Sequence, residues 1–224
     1  MISVIIPVLD EAATIAGTLE HILALEGEYE IIVVDGGSTD ETVAIASRYA
    51  RVLQSQRGRA LQMNLGAEAA KGDVLIFLHA DTLLPQEATT TIQAALANPS
   101  VVGGRFKVRL DHPGWRYRVI GFSINLRDRI LGGFTGDQAV FVRAAVFHDL
   151  GGYANMPLME DLDFGRRMRR AGKVVRLPLT VVTSARRWQR NGVVRTILLM
   201  WLLRFLYLMG FPPSRLKRLY GDTR

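Results

Sequence analysis

Three carboxylates in the first half of the chain stand where they could meet in one ligand-binding crevice. Glu11, Asp35 and Asp81 each follow directly on a predicted buried strand. The carboxyl ends of parallel strands meet at one edge of a sheet, where ligands bind in open α/β folds. A carboxylate there suits a hard cation, which takes its other ligands from phosphates and water. We therefore expect the three acids to converge on one crevice, with Asp81 as the metal ligand; alternatively, Asp81 only caps the segment that follows it.

A glycine-rich turn follows Asp35. Gly36 and Gly37 let the backbone approach a ligand closely, and a helix that begins at Ser38 would point free N–H groups at an anion. Asp35 could then accept hydrogen bonds from a nucleotide base or ribose. The alternative is a tight turn with a capping box between Ser38 and Glu41. The sequence has neither the dinucleotide-binding glycine pattern nor the Walker pattern, which disfavours both of those nucleotide sites.

A second acidic group opens a predicted helix in the second half of the chain. Glu160, Asp161 and Asp163 put three carboxylates within four positions. Their mutual repulsion raises the pKa of at least one of them, which is typical of functional sites. The alternative is a set of ordinary N-terminal helix acids, stabilised by the helix dipole.

Cationic and imidazole side chains supply weaker candidates. Arg59 precedes a predicted helix and could contact a diphosphate, and residues 184–188 set two arginines beside Trp188. Arginine clusters suit phosphate recognition, although solvated loops are the simpler explanation for both. His79 could contact a metal or phosphate, but a lone histidine at a strand end more often packs or hydrogen-bonds.

The elements that must position these residues alternate between strand and helix. This order predicts an α/β fold with a mostly parallel central sheet, right-handed crossovers and flanking helices. Asp10 is expected to cap the first helix, and Ser38 the second. The predicted strands lie at 3–7, 30–34, 51–54, 74–78, 101–110, 139–143 and 173–183, and the predicted helices lie near 15–23, 38–49, 60–70 and 162–171.

Composition limits the classes of function. The 224 residues include no cysteine, so disulfides, thiolate metal sites and cysteine nucleophiles are excluded. The formal net charge is +7, with the positive charge concentrated between Arg166 and Arg224. Such a balance fits phosphate-bearing substrates or anionic lipid, and we do not expect a nucleic-acid partner. The first residues lack the pattern of a secretory signal, so we expect a cytoplasmic protein, peripheral at most on the inner face of the cell membrane.

The C-terminal segment is apolar and basic. Residues 193–211 approach the length of a spanning helix, but Arg195 and Arg204 fall inside the run and two prolines end it. We expect an interfacial helix that meets anionic lipid through the basic residues that follow. The alternative is a helix packed on the core or on a second subunit. The predicted organisation is a main domain over 1–190 and a helical extension over 191–224.

An ordered set of motifs resembles glycosyltransferase family 2. The set spans roughly residues 1–180, and the motifs are VIIP at 4–7, VVDGGSTDET at 33–42, NLG at 64–66, GDVLIFLHADT at 72–82 and MEDLDF at 159–164. The resemblance implies a GT-A fold, a nucleotide-diphosphate sugar donor, Mg²⁺ or Mn²⁺ as cofactor, and inversion at the anomeric carbon. With LHADT and GDQ at 136–138, the chain looks similar to short bacterial members assigned to arsenosugar biosynthesis or to lipid glycosylation.

The resemblance also implies roles for individual residues. Asp81 matches the metal-binding acid of an Asp-x-Asp motif whose first Asp is replaced by His79. Asp161 matches the catalytic base, with Glu160 beside it, and Ser184 stands where processive synthases have Gln. The residues expected around the nucleotide are Pro7, Glu11, Asp35, Gly37, Arg59 and Asp73, and those expected near the acceptor or diphosphate are His79, Gly136, Asp137, Arg187 and Trp188.

Two other functions compete with glycosyl transfer to a small-molecule or lipid acceptor. A sugar-phosphate nucleotidyltransferase would share the α/β fold, but it usually carries a glycine-rich loop after the first strand, where this chain has Pro7 to Glu11. A non-catalytic membrane-binding module would bind lipid without transferring a sugar from any donor.

Overall fold

The computed structural model describes residues 1–131 and 134–220, and its first half follows the predicted alternation of strand and helix. Apolar runs rich in Ile and Val form the strands, and residues with one apolar face form the helices between them. The elements are β1 (Ile2–Val8), α1 (Ile15–Leu23), β2 (Tyr29–Asp35), α2 (Thr42–Ala46), β3 (Arg51–Gln54), α3 (Arg59–Ala69) and β4 (Val74–Phe77).

The second half adds four strands and seven helices among the described residues. The long helix over residues 115–131 was not predicted, because it carries apolar side chains on both faces and lacks a clear helical period. The elements are β5 (Thr82–Leu83), α4 (Ala88–Leu96), β6 (Val101–Leu110), α5 (Trp115–Leu131), a 3-10 turn (Gly136–Gln138), β7 (Val140–Arg143), α6 (Ala144–Asp149), α7 (Glu160–Ala171), β8 (Lys173–Thr183), α8 (Arg186–Asn191), α9 (Val193–Leu208) and α10 (Pro213–Tyr220).

All eight strands belong to one mixed sheet in the order β3-β2-β1-β4-β7-β6-β8-β5. β3, β2, β1 and β4 are parallel, as predicted, and β6 is parallel to β8. β7 is antiparallel to both β4 and β6, and β5 is antiparallel to β8. β7 runs back because it begins directly after the 3-10 turn at the carboxyl edge of β4, where Val140 pairs with Phe77.

The core lies on both faces of this sheet. Alternate side chains of β1 point to opposite faces, so they divide between two clusters. Ile2, Val4 and Ile6 pack under α1 and α4, and Ile5 packs under α3 and α7. Both faces are therefore covered, and the chemistry can occur only at the strand ends.

Two predicted helix caps are wrong. α2 begins at Thr42 rather than at Ser38, and the Ser38 hydroxyl instead donates to the Asp35 carboxylate. Asp10 has a positive φ of 53° and accepts hydrogen bonds from the backbone and hydroxyl of Thr39. The loops after β1 and β2 are thus joined by hydrogen bonds, and the side chains expected to cap helices are used in these bonds instead.

The described residues include no helix that is both long and apolar enough to cross a membrane. α9 has 16 residues and ends at Leu208.

Two helical glycines give a matched test of packing. A Cβ on Gly165 of α7 would lie 2.0 Å from the ring of Phe134, whereas a Cβ on Gly17 of α1 would meet open space. We expect Gly165→Ala to lower the free energy of unfolding by about 1–3 kcal/mol, because the core must shift. Gly17→Ala should raise it by about 0.5–1 kcal/mol through helix propensity. Urea unfolding measures both, and equal effects of the two substitutions would contradict the packing of α7 on Phe134.

Candidate active site

One guanidinium joins acids from the ends of β1 and β4. Nη2 of Arg186 lies 2.9 Å from Oε2 of Glu11 and 3.2 Å from Oδ2 of Asp81. The Asp81 carboxyl is partly buried, and burial raises its pKa, while the hydrogen bond from Arg186 lowers it and the charges of Glu11 and Asp137 raise it. The predicted convergence of Glu11 and Asp81 therefore holds in the structure.

Strand pairing carries Arg186 to this position. Thr82 pairs with Thr183 at the end of β8, and the N–H of Ser184 donates to the carbonyl of Asp81 at 3.2 Å. α8 begins two residues later, so its first side chain, Arg186, meets the acids. The arginine cluster at 184–188 could be predicted from the sequence, but its acidic partners could not.

Asp35 shapes the loop that follows it. Its carboxylate is buried and accepts hydrogen bonds from the backbone N–H groups of Gly37 and Ser38, at 3.0 and 3.1 Å, and from the Ser38 hydroxyl. Gly37 has a φ of 94°, which favours glycine. Asp35 lies at the same sheet edge as Glu11, but its oxygens are engaged within the loop, so direct binding of a ribose stays a prediction.

Asp161 lies at the start of α7, and its carboxylate accepts hydrogen bonds from two backbone N–H groups. Its Oδ2 accepts from Gly136 at 2.8 Å and its Oδ1 accepts from Leu162 at 2.8 Å. Burial and then the neighbouring charge of Glu160 raise the pKa of Asp161 to about 7, and Arg59 opposes this rise. The carboxylate is thus oriented and poised to exchange a proton near neutral pH.

Gly136 needs to be a glycine at this point. A Cβ there would lie 2.6 Å from Nε2 of His79, so the close approach of the 3-10 turn to the end of β4 depends on the missing side chain. This approach lets the Gly136 N–H reach Asp161 and brings Asp137 close enough to raise the pKa of Asp81.

A single cleft gathers most of the predicted site. Its volume, including the solvent at its open mouth, is about 1400 Å³. Pro7 lines a narrow recess that shares several of these walls. The predicted site residues that line the cleft are Arg59, His79, Asp81, Gly136, Asp137, Glu160, Asp161, Arg187 and Trp188.

Asp73 does not join this cleft. It precedes β4 and therefore lies at the amino end of a strand whose carboxyl end carries Asp81. Its side chain is 90% exposed and lies 3.3 Å from the N-terminal ammonium of Met1. The structure does not support the nucleotide-binding role predicted for Asp73.

Two further residues, Tyr153 and Trp201, line the site although their sequence context did not predict it. Tyr153 lines the recess with Pro7 and Asp161, and the Asn64 side chain holds the backbone N–H and carbonyl of Tyr153 at 2.8 Å each. Asn64 belongs to a recognised motif, but its partner lies 89 residues away. From the C-terminal segment, Trp201 lines the cleft as well.

Comparisons with known proteins bear on the family of this chain. The sequence model described as Glycosyl transferase family 2 matches residues 3–152. A PGL/p-HBAD biosynthesis glycosyltransferase of Mycobacterium bovis is 34% identical over 184 residues, which cover 75% of this chain and 69% of that protein. An undecaprenyl-phosphate 4-deoxy-4-formamido-L-arabinose transferase of Aeromonas hydrophila is 32% identical over 125 residues, covering 50% of this chain and 38% of that protein.

A solved structure supports the fold. The mannosyltransferase PcManGT of Pyrobaculum calidifontis, in complex with GDP-Man and Mn²⁺, superposes with a TM-score of 0.68 at 19% identity, over 97% of this chain and 67% of that one. The fold is the GT-A fold that the motifs implied. With the family match over residues 3–152 and the relative at 34% identity, the chain belongs to glycosyltransferase family 2.

Proposed function

We propose that this glycosyltransferase moves a sugar from a nucleoside-diphosphate donor to an acceptor hydroxyl with inversion at the anomeric carbon. The observation that supports the proposal is that one cleft holds an acid able to take a proton together with groups suited to a cation and a diphosphate. Asp161, with its pKa near 7, and Asp81 and Arg187 line the same cleft. A single displacement needs this division between acceptor activation and leaving-group stabilisation.

Asp161 acts as the general base. Its carboxylate takes the proton of the acceptor hydroxyl as that oxygen bonds to the anomeric carbon. The bond from that carbon to the donor phosphate breaks in the same step, and its electron pair leaves on the nucleoside diphosphate. The N–H groups of Gly136 and Leu162 keep the carboxylate oriented, and the charge of Glu160 keeps it basic.

The acids at the strand ends fit a divalent cation. The Glu11 and Asp81 carboxylates already share one cationic group, Arg186, and oxygen ligands suit Mg²⁺ or Mn²⁺. Within the described residues no group of three acid, His or Cys side chains could hold a metal alone, so Asp81 would supply the protein ligand and the donor phosphates would supply others. A bound cation would neutralise charge on the diphosphate leaving group.

Relatives suggest the classes of donor and acceptor. The structural neighbour binds GDP-Man with Mn²⁺, and the Aeromonas relative is named for a lipid-phosphate acceptor. We propose a nucleotide sugar as donor and a lipid-linked acceptor, and we leave the arsenosugar acceptor as a prediction from the resemblance.

Asp161→Asn tests the base. We expect turnover to fall by about 10²–10⁴-fold, because the amide cannot accept the proton. The measurement is nucleoside-diphosphate release and product mass with a panel of nucleotide sugars and Mn²⁺. Asp163→Asn is the matched control, since Asp163 pairs with Arg167 outside the cleft. Near-normal turnover of a folded Asp161→Asn variant would contradict the assignment.

The raised pKa of Asp161 predicts the pH dependence. The base works only when deprotonated, so kcat/KM should rise with pH and level off above about pH 7. Below that pH the slope should approach about tenfold per unit, as for one protonation. A profile that stays flat from about pH 5 to about pH 8 would exclude a base with this pKa.

Asp81→Asn tests the cation site at one end of β4. We expect stimulation of turnover by Mn²⁺ to be lost or to need at least about tenfold more metal, because a ligand oxygen loses its charge. The Asp73→Asn variant, changed at the other end of the strand, should need the same Mn²⁺ concentration for turnover as the unchanged protein. Equal metal dependence of the two variants would rule out Asp81 as the ligand.

A further inference from the structure

α5 exposes a continuous apolar stripe to solvent. Its inner face is buried through Ile120 and Ile124, so the outer stripe is additional to what the core requires. The outer residues recur at intervals of three and four, which puts them on one side of the helix. They are Trp115 (70% exposed), Val119 (55%), Phe122 (68%) and Leu126 (42%).

α9 has the same two-sided character. Leu203 is buried beside Leu216 of α10 and Met159 at the start of α7, so one face of α9 packs on the protein and the helix lies along its surface. The opposite face is exposed. Its residues are Val194 (69%), Leu198 (64%), Leu202 (50%), Phe205 (59%) and Met209, which follows the helix (65%).

The two helices that carry these stripes both line the active-site cleft. Its lining includes Ser123 and Ile124 of α5 and Ile197, Met200 and Trp201 of α9. Phe122 is adjacent to Ser123, and Trp201 is itself 54% exposed. An apolar surface therefore surrounds part of the opening through which an acceptor would enter.

The charge of these segments indicates an anionic partner. Residues 190–220 contain six Lys or Arg and no Asp or Glu, and residues 112–127 contain three Arg and no acid. A second copy of the chain would bring two cationic surfaces together, which is unfavourable. An apolar face with flanking cations and without anions is the pattern of a surface that rests on anionic lipid.

We propose that the exposed faces of α5 and α9 form one docking surface for an anionic bilayer, here named the lipid platform. The apolar side chains enter the boundary between headgroups and acyl chains, and the arginines contact lipid phosphates. The cleft then opens beside the bilayer, so the enzyme takes a lipid-linked acceptor directly from it. Only this last step rests on the proposed function.

Vesicle flotation tests the platform with the full chain. The test variant combines Phe122→Ser, Leu198→Ser and Phe205→Ser, which lie on the platform but do not line the cleft. The matched control is Leu23→Ser on α1, where the leucine is 50% exposed. Vesicles contain phosphatidylcholine alone or with phosphatidylglycerol.

The unchanged protein and the control should float with the anionic vesicles, and less so at high salt. The triple variant should partition at least about tenfold more weakly, because each apolar side chain contributes through its buried area. Hydrolysis of the nucleotide sugar without acceptor, measured in parallel, should be the same in all three proteins. Because this hydrolysis needs the folded active site but no vesicle, its loss would count against the proposed function or the fold and not against lipid binding.

Three results would overturn the lipid platform. In the first, the unchanged protein does not float with anionic vesicles, and in the second, the triple variant floats as well as the unchanged protein. In the third, neither protein binds vesicles, but the unchanged protein is a dimer and the triple variant is a monomer, which would make the two stripes a subunit interface.

Discussion

Arg186 joins two carboxylates that reach the same place from different strands, and the rest of the site is arranged around this contact. Glu11 and Asp81 lie at the ends of β1 and β4, and their negative charges in a partly buried setting require a cation. In the structure the Arg186 guanidinium supplies that positive charge. Under the proposed function, a divalent cation bound with the diphosphate would supply that charge instead, and Arg186 would be released to contact the phosphates.

The mixed sheet divides the chemistry into two halves. The parallel strands bring Glu11, Asp35 and Asp81 to one edge, where a donor would bind. The antiparallel β7 follows the 3-10 turn at that same edge, and this turn delivers the Gly136 N–H that orients Asp161. One connection therefore links Asp161, the proposed base at the start of α7, to the acids that follow β1 and β4. Transfer needs this coupling, because base and leaving group must act on one sugar.

Much of the first half could be predicted from the sequence, because its information is local. Strand and helix patterns located β1 to β4 and the acids at their ends. Asp73 also stands next to a strand, but at its beginning, and only the direction of β4 separates it from Asp81. Ser38 and Asp10 have the local pattern of helix caps, yet tertiary hydrogen bonds between the two loops engage them first. Arg186 lies 105 residues from Asp81, and no local pattern reports such a contact.

A crystal structure with Mn²⁺ and a nucleoside diphosphate tests the central claim most directly. We expect an anomalous Mn²⁺ peak within ligand distance of the Asp81 carboxylate, with the diphosphate beside it and Arg186 withdrawn from the acids. The Asp161 carboxylate should remain open to the same cleft. A metal peak away from Asp81, or a nucleotide bound elsewhere while Arg186 still joins Glu11 to Asp81, would contradict that claim.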